Sequence, residues 1–387
     1  MSTLKVNSIQ HSNGTEALTI DSAGNTSFSG VVTGTPLANR NLIINGDMRI
    51  NQRGDTTGAN GSGYFGVDRW NTEETGLGTY DVEQDTDVPT GQGFSKSLKI
   101  SLATTDTVAS GDFLRFMQRI EGQNLQHLKF GTSSAENITL SFWIKSNLTG
   151  TYALGFQSTD GVSTNRVIGT TYTIDSADTW EKKTLTFVGD TAQVIRNDNN
   201  WGLRMFWWLV AGDSYKGTDN TSWIAQVTDA FATGHNIDFN SSTSNYINIT
   251  GVQLEVGDTA TPFEHRPYDM ELARCQRYYN KNSAVYTATL GGVGYNQSTT
   301  TARFYFPFPV TMRDIPSSLE QTGTASDYSI RQGGAAIACN GVPQLYSPTP
   351  HGADVAFFVS SGLTSGQGVL PRVNAAGGAY LAWSAEL

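Results

Sequence analysis

The sequence predicts an all-β protein with four parts: a short N-terminal segment, a jelly-roll β-sandwich, one short junction helix and a smaller C-terminal β-sandwich. Short runs of β-branched and aromatic residues recur at regular spacing and are bounded by Gly-, Asn- and Asp-containing turns. Glycine is abundant, at 41 of 387 residues, and charged residues make up only 16%, where soluble domains average roughly 25%. A single stretch, PFEHRPYDMELARCQRYY, has a helical pattern.

Residues 1–40 contain two strand-like pieces, LKVNSI and ALTID, followed by the Gly-rich piece GVVTGTP. Each piece is too short to form a core alone, so we expect this segment to pair with copies of itself or with another protein. No apolar run follows Lys5 as in a secretory signal, and no run reaches the roughly 18 apolar residues of a membrane span. We therefore expect synthesis in a cytoplasm and exit by a route other than secretion.

Residues 41–266 carry about eight strand signals, which favour a two-sheet sandwich or jelly roll but leave the strand order open. Each signal is a half-buried pattern bounded by turn formers. The segments are LIINGDMRINQ, SLKISLA, ITLSFWIKS, TYALGFQ, RVIGTTYTI, EKKTLTFVG, WGLRMFWWLV and YINITGVQLEVG.

The segment WGLRMFWWLV is a candidate ligand-binding strand. Neighbouring residues of a strand point to opposite faces of the sheet, so Trp207 and Trp208 lie on different faces. One face belongs to the sandwich core. The other is either covered by loops or forms an exposed aromatic platform that stacks on a sugar ring or seals a contact between subunits.

Residues 267–280 are predicted to form the junction helix. Pro262 and Pro267 interrupt the preceding structure, and Asp269 is placed to cap a helix through MELARCQRYY. Its apolar stripe is Leu272, Cys275 and Tyr279. A helix of about ten residues needs a partner surface, which is either the sandwich or other copies of the helix.

Residues 281–387 return to strand patterns in TARFYFPFPV, VAFFVSSG and AYLAWSAEL. Phe304, Phe306 and Phe308 alternate onto one face, as expected for a second, smaller sandwich. Glycine-rich loops join these strands, and such loops often carry recognition. Candidate binding residues of this region are Tyr295, Gln332, Asn340, Tyr346 and His351.

An alternating acidic run, Asp81, Glu83, Asp85 and Asp87, places four carboxylates on one strand face. Such a row is a weak candidate for a structural calcium site, because calcium prefers oxygen ligands. The alternative is a solvated edge strand whose charges prevent pairing with another sheet. The run lacks EF-hand spacing, so the second interpretation is favoured.

The other motifs of the sequence do not predict a catalytic or cofactor-binding site. Residues 61–66 match GxGxxG but neither follow a clear strand nor open a helix, so the match is attributed to chance. GxSxG, HExxH, CxxC and GxxxxGK patterns are absent, and the five histidines lie far apart. Cys275 and Cys339 have no metal-type spacing and are predicted to be reduced and buried. We expect no catalytic residue and no cofactor.

The net charge is -10 and the sequence pI is about 5.0. A chain of this charge offers no basic surface to phosphates, so neither nucleic acid nor an anionic membrane is an expected partner.

Three pieces of the sequence together resemble the tail fibre and receptor-binding proteins of tailed bacteriophages. They are NLIINGDMRINQRG followed by VDRW, ITGVQLEVGDTATPFEHRPYDMELARCQRYY, and FPFPVTMRDIPSS with the final SAEL. The opening MSTLKVNSIQHSNGTEALTIDSAGN is similar to the N-terminal segment of such fibres. The resemblance spans most of the chain, and its most specific part runs from Gly251 to Tyr279.

The resemblance implies a homotrimeric virion protein. It implies that residues 1–40 attach to the tail or an adaptor, that 41–266 is a jelly roll like those of carbohydrate-binding modules, that the junction helix lies near the trimer axis, and that 281–387 is the distal, receptor-binding domain. The implied partner is a host-surface glycan or protein, and the implied location is the virion tail. Two alternatives stay open: a polysaccharide-depolymerising tailspike enzyme, and a fibre adaptor or capsid-surface appendage.

Overall fold

The computed structural model describes residues 8–10, 16–20, 22, 26–28 and 39–387, which divide into the units Met1–Arg40 and Asn41–Leu387. In the first unit, β1 (Ser8–Gln10), β2 (Glu16–Ile20) and β3 (Thr26–Phe28) form an antiparallel sheet in the order β1-β2-β3. The beginning of the predicted strand LKVNSI and the piece GVVTGTP lie outside the described residues.

The second unit begins with a jelly-roll β-sandwich of two six-stranded antiparallel sheets, as the sequence predicts. The first sheet has the order β12-β9-β15-β7-β6-β4 and the second the order β14-β11-β10-β13-β8-β5. Their strands are β4 (Thr56–Ala59), β5 (Asn71–Thr75), β6 (Tyr80–Asp85), β7 (Ser97–Leu102), β8 (Phe113–Glu121), β9 (Ile138–Ser146), β10 (Gly150–Ser158), β11 (Arg166–Ile174), β12 (Glu181–Phe187), β13 (Trp201–Ala211), β14 (Ile224–Ala225) and β15 (Tyr246–Val256).

The core of the jelly roll follows from the period-two alternation of its strands. Leu203, Met205 and Trp207 of β13 point inward and are fully buried. The ring of Trp207 stacks on Phe116 of the neighbouring strand β8, with 5.1 Å between ring centroids. This pair joins adjacent strands of one sheet, and Phe142 of the facing sheet meets the same indole edge-on at 5.5 Å.

The predicted strand LIINGDMRINQ is wrong, because residues 41–52 form a buried irregular segment. Asn45 has a φ of 58° and Met48 a φ of 59°, values that do not occur in a strand. The Asn45 amide holds the turn: its Nδ2 donates to the Ile50 carbonyl at 2.8 Å, and its Oδ1 accepts from the Ile50 N–H at 3.0 Å. Side-chain hydrogen bonds therefore replace the ladder that the apolar alternation suggested.

The C-terminal sandwich packs a three-stranded sheet, β16-β25-β19, against a seven-stranded sheet, β21-β20-β24-β17-β18-β23-β22. Phe304 and Phe306 lie in its core, which confirms the predicted apolar face of TARFYFPFPV. The strands are β16 (Tyr279–Ala284), β17 (Val293–Asn296), β18 (Thr301–Pro307), β19 (Ser318–Gln321), β20 (Tyr328–Gln332), β21 (Ala335–Ala338), β22 (Gly341–Thr349), β23 (Gly352–Phe358), β24 (Gly368–Val373) and β25 (Ala379–Ser384).

One α-helix, α1 (Tyr268–Gln276), connects the two sandwiches within residues 39–387. Its N-cap residue is Pro267 and no side chain caps it, so the prediction that Asp269 caps the helix is wrong; Asp269 lies in the first turn. Neither this helix nor any other in the described part of the chain is long and apolar enough to span a membrane.

The predicted stripe of Leu272, Cys275 and Tyr279 is also wrong in part. The helix ends before Tyr279, which opens strand β16, and Leu272 is only half-buried. Cys275 and Tyr279 are buried within their own chain, so in this conformation neither lies at a contact between chains. The helix docks on the sandwich instead: Arg266 donates to buried Glu271 at 3.2 Å, and Glu271 accepts the N–H of Asn45.

Candidate ligand-binding face of the C-terminal sandwich

Strands β17 and β18 present polar and aromatic side chains on the outside of the seven-stranded sheet. In β18, Phe304 and Phe306 are buried in the core. Arg303 and Tyr305, which alternate with them along the strand, therefore lie on the outer face. Tyr295 of β17 pairs in register with Arg303, and Tyr305 pairs with Asp354 of β23. The outer face is thus built from three adjacent strands.

Three tyrosines of this face are open to solvent. Tyr295 is 52% exposed, Tyr305 is 46% exposed and Tyr346, on edge strand β22, is 61% exposed. Val293, which pairs with Tyr305, is exposed as well. We call this surface the tyrosine face; its residues are Val293, Tyr295, Arg303, Tyr305, Tyr346 and Asp354.

Arg303 organises the tyrosine face. Its guanidinium carbon lies 3.2 Å from the centroid of the Tyr346 ring, a cation–π contact. On its other side Nε donates to Asp354 Oδ1 at 3.1 Å, and Nη2 donates to Oδ2. Burial alone would lower the pKa of Arg303, but Asp354 and Tyr346 raise it above the ordinary value, so the cation is permanent. Tyr346 is therefore held by a fixed charge.

Local backbone features aim the exposed rings. The pairing of β22 with β23 shifts register between Leu345 and Ser347, so Tyr346 sits at a bulge, a device that redirects a side chain. Gly352 lies beneath Tyr305: a Cβ there would come within 2.4 Å of the tyrosine hydroxyl. Only glycine allows Tyr305 this close approach to the backbone.

The residue types of the tyrosine face are those that can bind a ligand by stacking and hydrogen bonding. Rigid tyrosine rings offer flat apolar area for stacking and hydroxyl groups for hydrogen bonding, at a low cost in conformational entropy. The carboxylate on this face, Asp354, is engaged by Arg303 at both oxygens. Such an arrangement suits a ligand with alternating apolar and hydroxylated faces, such as a sugar ring.

The sequence-predicted residues of this region fall in different places. Tyr295 and Tyr346 belong to the tyrosine face. Gln332 lies at the β20–β21 turn, where its side-chain Oε1 accepts a hydrogen bond from the Thr364 N–H at 2.8 Å. Asn340 is exposed between β21 and β22, and His351, in the β22–β23 turn, contacts Thr311 Oγ1 at 3.3 Å through Nδ1. The structure thus assigns two of the five to one surface.

Arg303, Tyr305 and Asp354 were missed from the sequence. The signal for Arg303 and Tyr305 was present, because placing Phe304 and Phe306 in the core puts their neighbours on the other face. Asp354 had no such signal. It meets Arg303 only because β23 pairs with β18 across 51 residues of sequence.

The aromatic platform predicted in the jelly roll is not exposed, and the alternative of burial under loops is correct. Trp207 and Trp208 are both 0% exposed. Trp207 lies in the core between the sheets, and Trp208 lies on the outer face beneath Tyr215 and Phe231 of the following loop, at 5.2 and 6.2 Å between centroids. In this conformation neither tryptophan can stack on a ligand.

In the acidic run, Asp81, Glu83 and Asp85 lie on β6 and Asp87 follows it; β6 is the second strand of its sheet rather than an edge strand, so that part of the prediction is wrong. Protein groups already contact its carboxylates. The contacts are Gly58 N to Asp81 at 2.7 Å, Lys99 to Glu83 at 3.3 Å, Asn248 Nδ2 to Asp85 at 3.2 Å, and Lys145 and Trp180 to Asp87 at 2.5 and 2.9 Å. Among residues 39–387 and the described strands before them, no cluster of three metal-ligating side chains is formed.

A cleft of about 700 Å³ lies beside α1. It runs between the helix and the start of the C-terminal sandwich, where Tyr268, Leu272 and Gln276 face Lys281 and Tyr380. The Lys281 ammonium lies 4.3 Å from the Tyr380 ring centroid. Leu272 of the predicted helix stripe is thus a lining residue of this cleft.

Comparisons with known proteins gave structural likenesses only. No family model and no curated protein matches the chain. Among solved structures, the enzymatically active domain of bacteriophage CBA120 tailspike protein 4 superposes with a TM-score of 0.32 and 16% identity, covering 56% of this chain and 21% of that chain. This chain therefore spans about a fifth of the tailspike domain's length.

Two carbohydrate-binding modules also superpose. The family 11 module from Clostridium thermocellum has a TM-score of 0.27 and 11% identity over 54% of this chain and 98% of the module. The CBM22-1 xylan-binding domain of Paenibacillus barcinonensis Xyn10C has a TM-score of 0.26 and 13% identity over 57% and 96%. At these low scores the likenesses carry no conclusion about the ligand or activity of this chain.

Proposed function

We propose that this chain is a structural virion protein, a homotrimeric phage tail fibre that binds a host-surface glycan or protein through the tyrosine face. The supporting sequence observation is the resemblance to phage fibres, which spans most of the chain and is most specific from Gly251 to Tyr279. The structural observation that carries the proposal is the set of three exposed tyrosines, Tyr295, Tyr305 and Tyr346, on a rigid sheet. In this proposal residues 1–40 attach to the tail or an adaptor.

A shallow aromatic surface binds one sugar weakly, with a Kd of about 1 mM. Three linked copies on one fibre, and several fibres on one particle, raise the avidity by a factor on the order of 100 or more. Weak individual sites are therefore sufficient for adsorption. A flat surface that binds weakly and releases readily also lets a particle sample a cell surface.

The test uses the full-length protein, fluorescently labelled, and intact host cells. We expect the triple variant Tyr295→Ala, Tyr305→Ala, Tyr346→Ala to lose at least about tenfold in cell binding, because it removes three exposed aromatic surfaces and their hydroxyl groups at once. Tyr286→Ala is the matched control, since Tyr286 is 54% exposed and lies outside the seven-stranded sheet. Equal binding by the triple variant would remove the tyrosine face from the proposal.

A truncation after Asn280 is a poor substitute for these substitutions. It would remove the strands that cover Tyr278 and Tyr279, both buried in the intact chain, and would delete Glu386, the partner of buried Arg69. Lost binding would then report misfolding as readily as lost recognition.

Binding to cells pretreated with protease, or competed by purified surface polysaccharide, separates a protein receptor from a glycan receptor.

The trimer is a proposal of its own. Contacts between copies would use the exposed side of α1, where Tyr268 and Met270 are open, rather than the buried Cys275 and Tyr279. Light scattering on the purified protein is expected to give three times the chain mass of 41.8 kDa. A monomer at micromolar concentration would contradict the trimer and leave the tyrosine face untouched.

We further propose that the protein is not an enzyme. The competing function is a tailspike that depolymerises surface polysaccharide. Incubation with host polysaccharide is expected to produce no new reducing ends. Their appearance would replace the binding proposal with the enzymatic one.

A further inference from the structure

The outer face of the second jelly-roll sheet carries three arginines beside one carboxylate. Arg115 and Arg119 lie on β8, Arg204 lies on β13 and Glu73 lies on β5. The next part of this face is closed by the loop that buries Trp208. The side chains of this charged group are mostly covered and keep between 9% and 16% of their surface exposed. We call Arg115, Arg119 and Arg204 the arginine triad.

The register of the sheet forces two cations together. Arg204 pairs directly with Arg119 across β13 and β8, on the same face. Like charges directly opposite each other on neighbouring strands destabilise a sheet. Partial burial strengthens the repulsion, because the local dielectric is lower than that of water. The sheet is stable only if other groups compensate for this repulsion between Arg119 and Arg204.

Glu73 compensates for only part of the repulsion between the arginines. Its Oε2 accepts from Arg115 Nε at 3.0 Å and Nη2 at 2.6 Å, and its Oε1 accepts from Arg119 Nη2 at 2.8 Å. Both carboxylate oxygens of Glu73 thus accept hydrogen bonds from Arg115 and Arg119, and neither accepts one from Arg204. Among the described residues, Glu73 is the one side-chain carboxylate within ion-pair distance of the triad.

Arg204 has fewer polar partners than the other two arginines, although its guanidinium carbon lies 5.4 Å from the centroid of the Trp201 ring. Its nearest carboxylate oxygen is Glu73 Oε1 at 3.7 Å, beyond hydrogen-bond distance, and its buried Nε has no hydrogen-bond partner. Burial and the charges of Arg115 and Arg119 lower the pKa of Arg204 to about 9, which still leaves it charged at neutral pH. Arg119, by contrast, also donates to the main-chain oxygen of Leu387, the last residue of the sequence, at 2.8 Å and to the Tyr64 hydroxyl at 3.4 Å.

We propose that the arginine triad is a binding site for a small oxyanion, with Arg204 as its principal donor, and that the anion is the carboxylate or sulfate group of an acidic sugar. A planar guanidinium whose Nε–H has no hydrogen-bond partner matches such an anion geometrically. The identity of the carrier as a sugar rests on the proposed function; the oxyanion site itself does not. Because the whole chain carries a net charge of -10, anion capture here depends on the local cluster rather than on the long-range field.

The test measures small-anion binding to the full-length protein by calorimetry, without cells. The probes are sodium sulfate, the methyl glycoside of galacturonic acid with its carboxylate free, and the neutral counterpart methyl galactoside. We expect the two anions to bind at millimolar concentration and the neutral sugar not to bind at this site. The variant Arg204→Gln should weaken anion binding at least about tenfold, since a charge-assisted hydrogen bond and an ion pair are both lost.

Two further variants keep the result interpretable. Glu73→Gln removes the competing carboxylate, so we expect tighter anion binding together with a lower melting temperature in anion-free buffer. Arg331→Gln, on the exposed part of β20, changes the net charge equally and should leave anion binding unchanged. A folded Arg204→Gln protein is verified by circular dichroism.

The outcomes are distinct. No anion binding to the wild type, or equal binding by Arg204→Gln, would overturn the site. Binding of sulfate but not of the methyl glycoside of galacturonic acid would overturn the acidic-sugar ligand. Anion binding that depends on Arg204 supports the site even where the tyrosine-face variants retain cell binding, so this inference and the proposed function fail separately.

Discussion

At the scale of single residues, Arg303 connects sequence, packing and function most directly. It is nearly buried, stacks on an exposed tyrosine and pairs with Asp354 on the next strand. One guanidinium thereby fixes the orientation of Tyr346, which would otherwise be a mobile side chain on an edge strand. Preorganisation of this kind lowers the entropy lost when a ligand binds.

We expect Arg303→Met to lower the free energy of unfolding by about 2 kcal/mol, because it removes charge-assisted hydrogen bonds to Asp354. It should also reduce cell binding, because Tyr346 loses its cationic support. Chemical denaturation measures the first effect. Arg331→Met, exposed on the same sheet, is the control and should change stability by about 0.5 kcal/mol or less. Equal effects of the two substitutions would show that the Arg303 contacts contribute nothing specific.

The two cysteines give a second test at this scale. Both are free and buried, as the sequence predicted. Burial raises the pKa of the Cys339 thiol to about 12 and that of Cys275 well above its ordinary value, so neither forms the reactive thiolate near neutral pH. We expect no alkylation of the native protein at pH 8 and alkylation of both cysteines in denaturant, counted by mass spectrometry. Rapid labelling of Cys275 in the native state would show that α1 opens.

At the scale of secondary-structure elements, period-two alternation located most strands but failed at LIINGDMRINQ, and it did not predict which strand faces are exposed. It located β9, β11 and β13 well and placed the two tryptophans of β13 on opposite faces. The alternation did not predict that a loop covers Trp208, the tryptophan on the outer face. Strand β6 shows the same limit: its alternating acids predicted a strand, while the pairing with both β7 and β4 makes it an internal one.

The acids of β6, with Asp87 just after it, give a prediction for this scale. Their oxygens already accept hydrogen bonds or ion pairs from protein groups, including Lys99 and Lys145. We therefore expect a calcium chelator to leave the melting temperature unchanged, as measured by scanning calorimetry. A fall in melting temperature that added calcium reverses would establish a structural calcium site here.

At the scale of the whole molecule, residues around α1 tie the jelly roll to the C-terminal sandwich. Glu121, fully buried at the end of β8, accepts from Arg277 Nε at 2.7 Å and Nη2 at 2.8 Å, and from the Tyr278 hydroxyl at 2.5 Å. Arg313 of the C-terminal sandwich donates to the Asn199 carbonyl at 3.1 Å. These bonds join the two sandwiches within the compact unit Asn41–Leu387, which contains three hydrophobic clusters.

We expect Glu121→Gln to lower the free energy of unfolding by about 2–3 kcal/mol, since hydrogen bonds between charged groups are lost in a buried place. Burial would raise the pKa of Glu121, but hydrogen bonds from Arg277 and Tyr278 outweigh it and lower the pKa. The stabilisation is therefore complete above the unfolded-state pKa of about 4.3 and is lost as the pH falls through the lower folded-state value.

Denaturation of wild type and Glu121→Gln across this pH range measures the effect, and the difference between them should shrink in acid. Glu136→Gln is the control, because its ion pair with Lys129 is exposed and should contribute less than about 1 kcal/mol. A difference that does not depend on pH would contradict the assigned charge state of Glu121.

The sequence by itself determined most strands, the one helix, the two buried cysteines and the inward phenylalanines of β18, because alternation and turn residues are local properties of the chain. Tertiary structure decided what covers each face: it closed the outer side of β13 over Trp208 and left Tyr295, Tyr305 and Tyr346 open. It also assembled the arginine triad with Glu73 from three strands. Strand pairing over long sequence separations makes these juxtapositions, and no local pattern specifies them.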